Sequence, residues 1–190
     1  MKLVLVSSNE HKASEIRNIL SGVELFSLND IGFHGTIEET GNSFAENASI
    51  KSMAIERKYK MNCLADDSGM EVDALHGAPG VYSARYAGEP SNDAVNNLLL
   101  LKEMKGKQNR SARFVSVISL RINEKENLFR GELKGILLNE LRGQNGFGYD
   151  ALFVPAGEQR TLAEMTFEEK NAISHRFQAL KQVKEFLDKL

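Results

Sequence analysis

The first 22 residues constrain the fold most strongly. Lys2–Val6 is a near-continuous apolar run, which is typical of a buried strand. The Ser-Ser-Asn segment 7–9 supplies helix-capping residues, and apolar residues then recur at helical spacing from Ala13 to Leu20, before Gly22. The chain is therefore predicted to begin with a strand, a short loop and a helix.

The rest of the sequence continues this mixture. Helices are predicted over 42–60, 91–105, a short segment from 166 to a break near 174, and 175–190. The first begins with Ser43 and Glu46 at capping-box spacing, and the third begins with Thr166 and Glu169 at the same spacing. Strands are predicted over 113–122 and 128–138, joined by a turn at 123–127, with a further apolar run at 151–154. Helices combined with one hairpin and separated strands favour the α/β class with a mixed sheet.

Composition limits the possible functions. A chain of 190 residues with 42% hydrophobic content is expected to form one domain over residues 1–190. Its formal net charge of -2 gives no basic excess for a nucleic-acid polymer. The N-terminal apolar run is too short to span a membrane, so we expect a cytoplasmic protein without a membrane partner. Cys63 is the single cysteine and is expected to be a small buried hydrophobe.

Two adjacent carboxylates give the first chemical signal. Asp66 and Asp67 follow the short apolar run 62–65 and precede Ser68 and Gly69. The segment predicts a strand that ends in a tight turn, because Asp, Ser and Gly are common turn residues. Adjacent carboxylates would also suit Mg²⁺, a hard cation that prefers oxygen ligands. The motif alone leaves both interpretations open.

A lysine occupies an unexpected position in the helix predicted over 42–60. Phe44, Ala48 and Ile55 form its apolar stripe, and Lys51 falls on the same face. A positive charge is therefore predicted on the buried side of the helix. The acidic pair 38–39 precedes this helix. These carboxylates would either interact favourably with the positive end of the helix dipole or supply another metal ligand.

The loop between the first strand and helix is a candidate anion site. Helix N-termini offer free N–H groups and a positive dipole end, and Lys12 adds a full charge there. The segment lacks the G-x-x-x-x-G-K-[ST] pattern of a phosphate-binding P-loop. A capped helix with a solvated lysine would explain the same residues.

Two later segments complete the signal. The glycine-rich loop 143–150 contains Phe147 and Tyr149, which could stack on a flat ligand or could anchor the loop. Segment 169–176 gathers Lys170, His175 and Arg176 near a helix break, which suits a phosphate or a polar base edge, although such charges are often simply solvated. Carboxylates, lysines and an aromatic loop together indicate a nucleoside triphosphate site.

The order of these motifs is similar to that of a known family. The motifs are Ser-x-Asn-x-x-Lys at 7–12, Glu-Glu-Thr-Gly at 38–41, Glu-Asn-Ala at 46–48 leading to Lys51, Ala-Asp-Asp-Ser-Gly at 65–69, Gly-Ala-Pro-Gly-Val-Tyr-Ser-Ala-Arg-Tyr at 77–86, Phe-Gly-Tyr-Asp at 147–150 and Ser-His-Arg at 174–176. Over essentially its whole length the chain resembles the inosine triphosphate pyrophosphatase (Ham1-like) family. The resemblance implies a Mg²⁺-dependent, usually dimeric enzyme that hydrolyses ITP, dITP and XTP to the monophosphate and pyrophosphate. It also implies an elongated, twisted mixed sheet flanked by helices, with two lobes and a central active-site cleft.

The resemblance also implies roles for individual residues. Asp67 would be the catalytic carboxylate and a metal ligand, with Glu39 as the second metal contact and Glu38 or Asp66 as alternatives. Lys12 and Lys51 would neutralise the triphosphate. The remaining expected substrate contacts are Ser7, Ser8, Asn9, Glu10, His11, Ser68, Phe147, Gly148, Tyr149, Asp150, Lys170, His175 and Arg176, the last group surrounding the base.

The chain departs from the family pattern at three positions. Ser8 stands where many relatives have Gly, His11 where a small residue is frequent, and Ala151 where Pro is common. None of these positions carries a charge that the expected chemistry needs. Two alternatives to the implied function stay open: a pyrophosphatase for modified pyrimidine or other triphosphates, and a nucleotide-binding sensor without turnover.

Overall fold

One mixed sheet of six strands organises the protein. The computed structural model describes residues 1–190. The strands are β1 (Lys2–Val6), β2 (Glu24–Phe26), β3 (Cys63–Val72), β4 (Ser111–Ile122), β5 (Lys125–Leu137) and β6 (Phe153–Pro155). Their order across the sheet is β2-β1-β3-β4-β5-β6. β1 pairs in parallel with β2 and β3, and β5 pairs antiparallel with β6. The predicted α/β class with a mixed sheet is therefore confirmed.

Five α-helices accompany the sheet. They are α1 (Glu10–Ile19), α2 (Phe44–Tyr59), α3 (Asp93–Glu103), α4 (Phe167–Ile173) and α5 (His175–Leu187). Each lies within a segment predicted to be helical. The ends follow local capping chemistry: the Asn9 side chain accepts a hydrogen bond from the Lys12 backbone N–H, and Thr166 and Glu169 form a complete capping box.

Helix α2 holds Lys51 on its buried side, as its apolar stripe predicts. The helix begins after Ser43, whose hydroxyl accepts a hydrogen bond from the Glu46 backbone N–H. The capping box is incomplete, since the Glu46 carboxylate accepts from the backbone N–H of Asn42 instead of Ser43. The helix ends at Lys60, whose φ of 55° places it in the left-handed region.

The turn predicted at Asp66–Gly69 is wrong. β3 continues through these residues as regular strand to Val72. β3 pairs with β1 only as far as Ala65, but it stays next to β4 in the sheet, so pairing with β4 outweighs the local turn preference of Asp, Ser and Gly. Successive side chains of a strand point to opposite faces, which separates the carboxylates of Asp66 and Asp67.

The hairpin turn is shorter than predicted. The sequence predicts a turn over 123–127, but β5 already begins at Lys125. Asn123 and Glu124 alone connect β4 to β5, with φ values of 50° and 66°. Positive φ at both central residues is the signature of the type I′ turn, whose twist matches that of the flanking strands. Strand β2 has only three residues and was not predicted from the sequence.

By their internal contacts, the residues divide into two compact units. Unit 1 comprises residues 1–67, 116–131 and 176–190, and unit 2 comprises 68–115 and 132–175. In unit 1, α1, α5, β1 and β4 contribute to one apolar cluster, and a smaller cluster includes Cys63. The core of unit 2 joins α3, β4, β5 and the segment from Tyr149 to Met165. One domain over 1–190 stays a prediction.

Cys63 is a buried residue of unit 1, as its position in an apolar run predicts. Burial raises the pKa of its thiol to about 12, as expected for an inert core cysteine.

None of the helices has the length and apolar character that crossing a membrane requires.

Gly135 provides a test of the pairing between β5 and β6. A Cβ at Gly135 would lie 2.2 Å from the Val154 carbonyl oxygen and 2.7 Å from the Phe153 ring. We expect Gly135→Ala to lower the free energy of unfolding by about 1–3 kcal/mol, because neither backbone nor ring can move aside cheaply. Urea denaturation measures the effect. Gly22→Ala, which meets nothing within 4 Å, is the matched control, and equal stability of the two variants would contradict the expectation.

Candidate active site

In unit 1, the buried carboxylate of Asp66 joins three segments. Its Oδ1 accepts a 2.6 Å hydrogen bond from the Ser116 hydroxyl on β4. Its Oδ2 lies 3.1 Å from Lys12 Nζ on α1 and 3.5 Å from Arg176 on α5. The Arg176 guanidinium also pairs with the buried carboxylate of Glu15. Asp66 therefore holds cationic side chains from both ends of the sequence.

These partners keep Asp66 ionised. Burial alone would raise the pKa of this carboxyl group, but Arg176 and Lys12, helped by the Ser116 hydroxyl, hold it well below its usual range. Arg176 is 1% exposed, and its own pKa is raised, because Asp66 and Glu15 outweigh the effect of burial. Asp66 therefore serves as a permanent counter-ion.

The predicted phosphate loop follows the C-terminal end of β1. Segment 8–11 is exposed and Ser7 is half-buried. The Ser7 hydroxyl accepts a hydrogen bond from the Asn9 backbone N–H, and Asn9 caps α1. Lys12 reaches inward from the first turn of the helix to Asp66. The loop is thus an ordered helix N-terminus with one lysine directed into unit 1, and contact with phosphate stays a prediction.

Lys51 connects the other two acidic residues of unit 1. Its Nζ donates to Glu39 Oε1 at 2.9 Å and to Asp67 Oδ1 at 3.0 Å. Lys51 is 9% exposed and Asp67 is 5% exposed. Glu38 is exposed to solvent, and Asp66 is held by its own partners. The arrangement therefore favours Glu39 over both alternatives as the acidic neighbour of Asp67.

Burial and the shared contacts displace the pKa values of Lys51 and Asp67. Burial lowers the pKa of Lys51, but Asp67 and Glu39 more than offset this, so the pKa of the ammonium is raised. Burial also raises the pKa of Asp67, and because Lys51 is shared with Glu39, the compensation is incomplete and the pKa stays above its ordinary value. Asp67 is thus more basic than an exposed aspartate, as a general base requires.

The Glu39 and Asp67 pair has the donor chemistry for Mg²⁺. Asp67 Oδ2 is buried and has no hydrogen-bond partner, so one hard oxygen is available beside a second carboxylate. No group of three or more His, Cys, Asp or Glu side chains is placed to hold a metal ion. Mg²⁺ is commonly held by one or two carboxylates together with substrate phosphates, and these residues fit that pattern.

In unit 2, the loop Phe147–Asp150 is closed on itself. Asp150 Oδ2 accepts hydrogen bonds from the Phe147 backbone N–H at 2.9 Å and from Lys170 Nζ at 2.7 Å. The same ammonium lies 4.4 Å from the centroid of the Phe147 ring, within cation–π range. Gly146 has φ +76°, and a Cβ there would lie 2.1 Å from Asp150 Oδ2. The tight closure therefore requires glycine at 146.

The two aromatic residues of this loop have different roles. Tyr149 is 3% exposed, and its hydroxyl donates a 2.8 Å hydrogen bond to the Ser83 carbonyl oxygen. It is therefore the anchor, whereas Phe147 is half-buried. The Gly148 backbone bonds to Asp93 and to Asn97, both on α3. Sequence reasoning missed these two supports, although polar residues four apart on one helix face were a usable signal.

The remaining predicted contacts lie in two different units. Ser68 is half-buried in β3. The His175 ring stacks on Phe114 with 5.0 Å between centroids and 12° between planes, and the residue is 5% exposed. Ser68 and His175 belong to unit 2, whereas Arg176 belongs to unit 1. In unit 1, Arg176 pairs with Asp66 and Glu15. The contacts of Ser68, His175 and Arg176 with a nucleotide stay predictions.

Comparison with known proteins identifies the family. The model of the Ham1 family matches residues 3–186. The chain belongs to the Ham1 family. The dITP/XTP pyrophosphatase of Christiangramia forsetii is 46% identical over 190 residues, covering 100% of both chains. The structure of the Staphylococcus aureus Ham1 protein superposes with a TM-score of 0.93 at 36% identity, over 100% of this chain and 99% of that one. A HAM1 protein from Coxiella burnetii gives the same TM-score at 39% identity, over 100% of both chains. The resemblance in the motifs is therefore confirmed.

A surface cavity of this Ham1-family protein lies apart from these residues. It has a volume of about 530 Å³ and is lined mainly by 111–113, 134–136 and 154–158 in unit 2. Its Arg113 is already engaged by Glu71 at 2.7 Å. None of the candidate site residues lines it. The assignment of the site therefore depends on side-chain chemistry and not on cavity size.

The Asp66 network is expected to dominate the stability of unit 1. Asp66→Asn leaves Arg176 buried with one carboxylate fewer, and we expect a loss of about 3–5 kcal/mol in the free energy of unfolding at neutral pH. Because the folded pKa of Asp66 lies below 3.8, its stabilising effect is present above that pH and is lost as the pH falls through the folded value. The difference between wild type and variant should therefore shrink in acid.

Urea denaturation at neutral pH and at a series of values below 3.8 measures this difference. Glu10→Gln is the matched control, because Glu10 forms only an exposed 3.7 Å pair with Arg17, and surface pairs contribute about 0–1 kcal/mol. A variant as stable as the wild type at neutral pH would show that Asp66 is not the organising counter-ion.

Proposed function

We propose that this protein hydrolyses non-canonical purine nucleoside triphosphates, namely ITP, dITP and XTP, to the monophosphate and pyrophosphate, and so removes them from the nucleotide pool. The observation that carries the proposal is the buried Lys51 between Glu39 and Asp67. Two carboxylates with an ammonium suit a metal-bound triphosphate. Relatives such as that of Christiangramia forsetii carry the name dITP/XTP pyrophosphatase.

The chemistry assigned to these residues is an attack of water on the α-phosphorus. Asp67 orients the water and accepts its proton as the new O–P bond forms. The bond between the α-phosphorus and the bridging oxygen breaks, and pyrophosphate leaves with the electron pair. Lys12 and Lys51 stabilise the charge that develops on the leaving group. Glu39 and Asp67 would hold Mg²⁺, which supplies further neutralisation of the phosphates.

Base recognition is assigned to the aromatic loop and, as separate contacts, to His175 and Arg176. Phe147 offers a half-buried ring for a flat base, with its position fixed by Asp150 and Lys170. His175 and Arg176 are proposed to read the oxygen at position 6 of the purine. A site whose buried polar groups stay unpaired with the wrong base can discriminate by about 10⁴-fold.

The family favours this function over both alternatives. A pyrophosphatase for modified pyrimidine or other triphosphates would use the same phosphate chemistry with a different base preference. A sensor without turnover would not need a carboxylate such as Asp67, whose pKa is raised and whose Oδ2 has no hydrogen-bond partner. We further propose a homodimer in the cytoplasm, without a nucleic-acid polymer or membrane as partner.

Product analysis tests the proposal directly. The purified protein is incubated with Mg²⁺ and separately with ITP, XTP, GTP or ATP, and the products are separated by chromatography. We expect monophosphate and pyrophosphate from ITP and XTP, with little product from GTP and ATP. Diphosphate with inorganic phosphate would reject the reaction, and equal hydrolysis of ATP and ITP would reject the base selection.

Asp67→Asn tests the catalytic assignment. The variant keeps the shape of the side chain but cannot accept a proton, and we expect kcat to fall by roughly 10²-fold or more. For the wild type, kcat should decline as the pH falls through the raised pKa of Asp67, because the base must be ionised. Steady-state release of pyrophosphate measures both effects. The exposed Asp188, changed to Asn, is the control, and near-normal turnover by a folded Asp67→Asn protein would exclude the role.

A further inference from the structure

Lys51 occupies a particular place among the proposed metal ligands. Its ammonium bonds one oxygen of Glu39 and one oxygen of Asp67 at 2.9 and 3.0 Å. These are the same two carboxylates that are proposed to hold Mg²⁺. A lysine in contact with both ligands therefore acts on the affinity of the pair for any divalent cation.

The position of Lys51 is fixed by its neighbour in α2. The Ser52 hydroxyl lies 2.7 Å from the Ser119 hydroxyl on β4 and accepts a 3.0 Å hydrogen bond from Arg121 Nε. Arg121 in turn donates to Glu56, one turn further along α2, at 2.9 Å. These contacts are buried or partly buried and attach the middle of α2 to β4. The backbone of Lys51 is thereby held, and its ammonium is kept within reach of the carboxylates.

Charge determines what this ammonium does to a cation. Two carboxylates and one ammonium leave one net negative charge, where the two carboxylates alone would leave two. In a partly buried site, charges a few ångströms apart interact far more strongly than in water, so the ammonium both neutralises the ligands and repels a cation. A triphosphate brings its own negative charges and offers the ammonium new acceptors.

We infer that Lys51 keeps the Glu39 and Asp67 pair weak toward free divalent cations, so that the metal is retained only together with the triphosphate. This inference rests on the proposed function, since it concerns the same site. It assigns to Lys51 a role in metal loading that is separate from its role in neutralising the leaving group.

The test measures binding of Mn²⁺ alone, without nucleotide, by electron paramagnetic resonance at mildly alkaline pH. Lys51→Met removes the charge and keeps an unbranched side chain that is one atom shorter. We expect its Kd for Mn²⁺ to be lower than that of the wild type by about tenfold or more. Lys51→Arg keeps the charge and should bind as weakly as the wild type. Lys58→Met removes an exposed charge from the same helix and should bind Mn²⁺ as weakly as the wild type.

Each outcome decides the inference. The inference would be overturned if Lys51→Met bound Mn²⁺ with the same affinity as the wild type. It would also be overturned if Lys58→Met increased the Mn²⁺ affinity as much as Lys51→Met does. If Lys51→Met does not fold, Lys51→Gln removes the same charge while keeping a hydrogen-bond donor. Turnover of ITP by the wild type is measured separately. Its absence, with tighter Mn²⁺ binding by Lys51→Met, would reject the proposed function and leave the role of Lys51 in place.

Discussion

The buried carboxylate of Asp66 is the interaction on which unit 1 depends. Arg176 is 1% exposed and would be too costly to bury without compensating charge. Asp66 and Glu15 supply that charge, and Asp66 also receives Lys12 and the Ser116 hydroxyl. Strand β4 and helices α1 and α5 therefore meet at one acidic side chain of β3. The direction of Lys12, which the proposed chemistry needs, follows from an interaction that is primarily structural.

Strand geometry divides the work between the two adjacent aspartates. Neighbouring residues of β3 point to opposite faces of the sheet, so Asp66 meets Arg176 while Asp67 meets Lys51. Their pKa values are displaced in opposite directions, downward for Asp66 and upward for Asp67. Such a separation identifies one group as a fixed charge and the other as the candidate base. A turn at this position would not impose two such distinct environments.

The sequence predicted what depends on local interactions and missed what depends on distant ones. The Thr166–Glu169 capping box and the buried position of Lys51 follow from spacing within one helix, and the structure confirms both. The predicted turn at Asp66–Gly69 was wrong because pairing of β3 with β4, which local propensity does not include, decides the backbone conformation. The pairing of Arg176 with Glu15 spans 161 positions, and no periodicity connects residues so far apart. The choice between Glu38 and Glu39 likewise required knowing which of them reaches Lys51.

The two aromatic residues of the loop have different environments. Spacing left open whether Phe147 and Tyr149 stack on a ligand or anchor the loop. Burial assigns the anchor to Tyr149, which is fixed by its hydroxyl to Ser83. Asp150 then closes the loop on the backbone of Phe147 and on Lys170. Because these bonds hold the loop in place, the Phe147 ring is positioned by the fold itself, and binding of a flat base would require little further ordering.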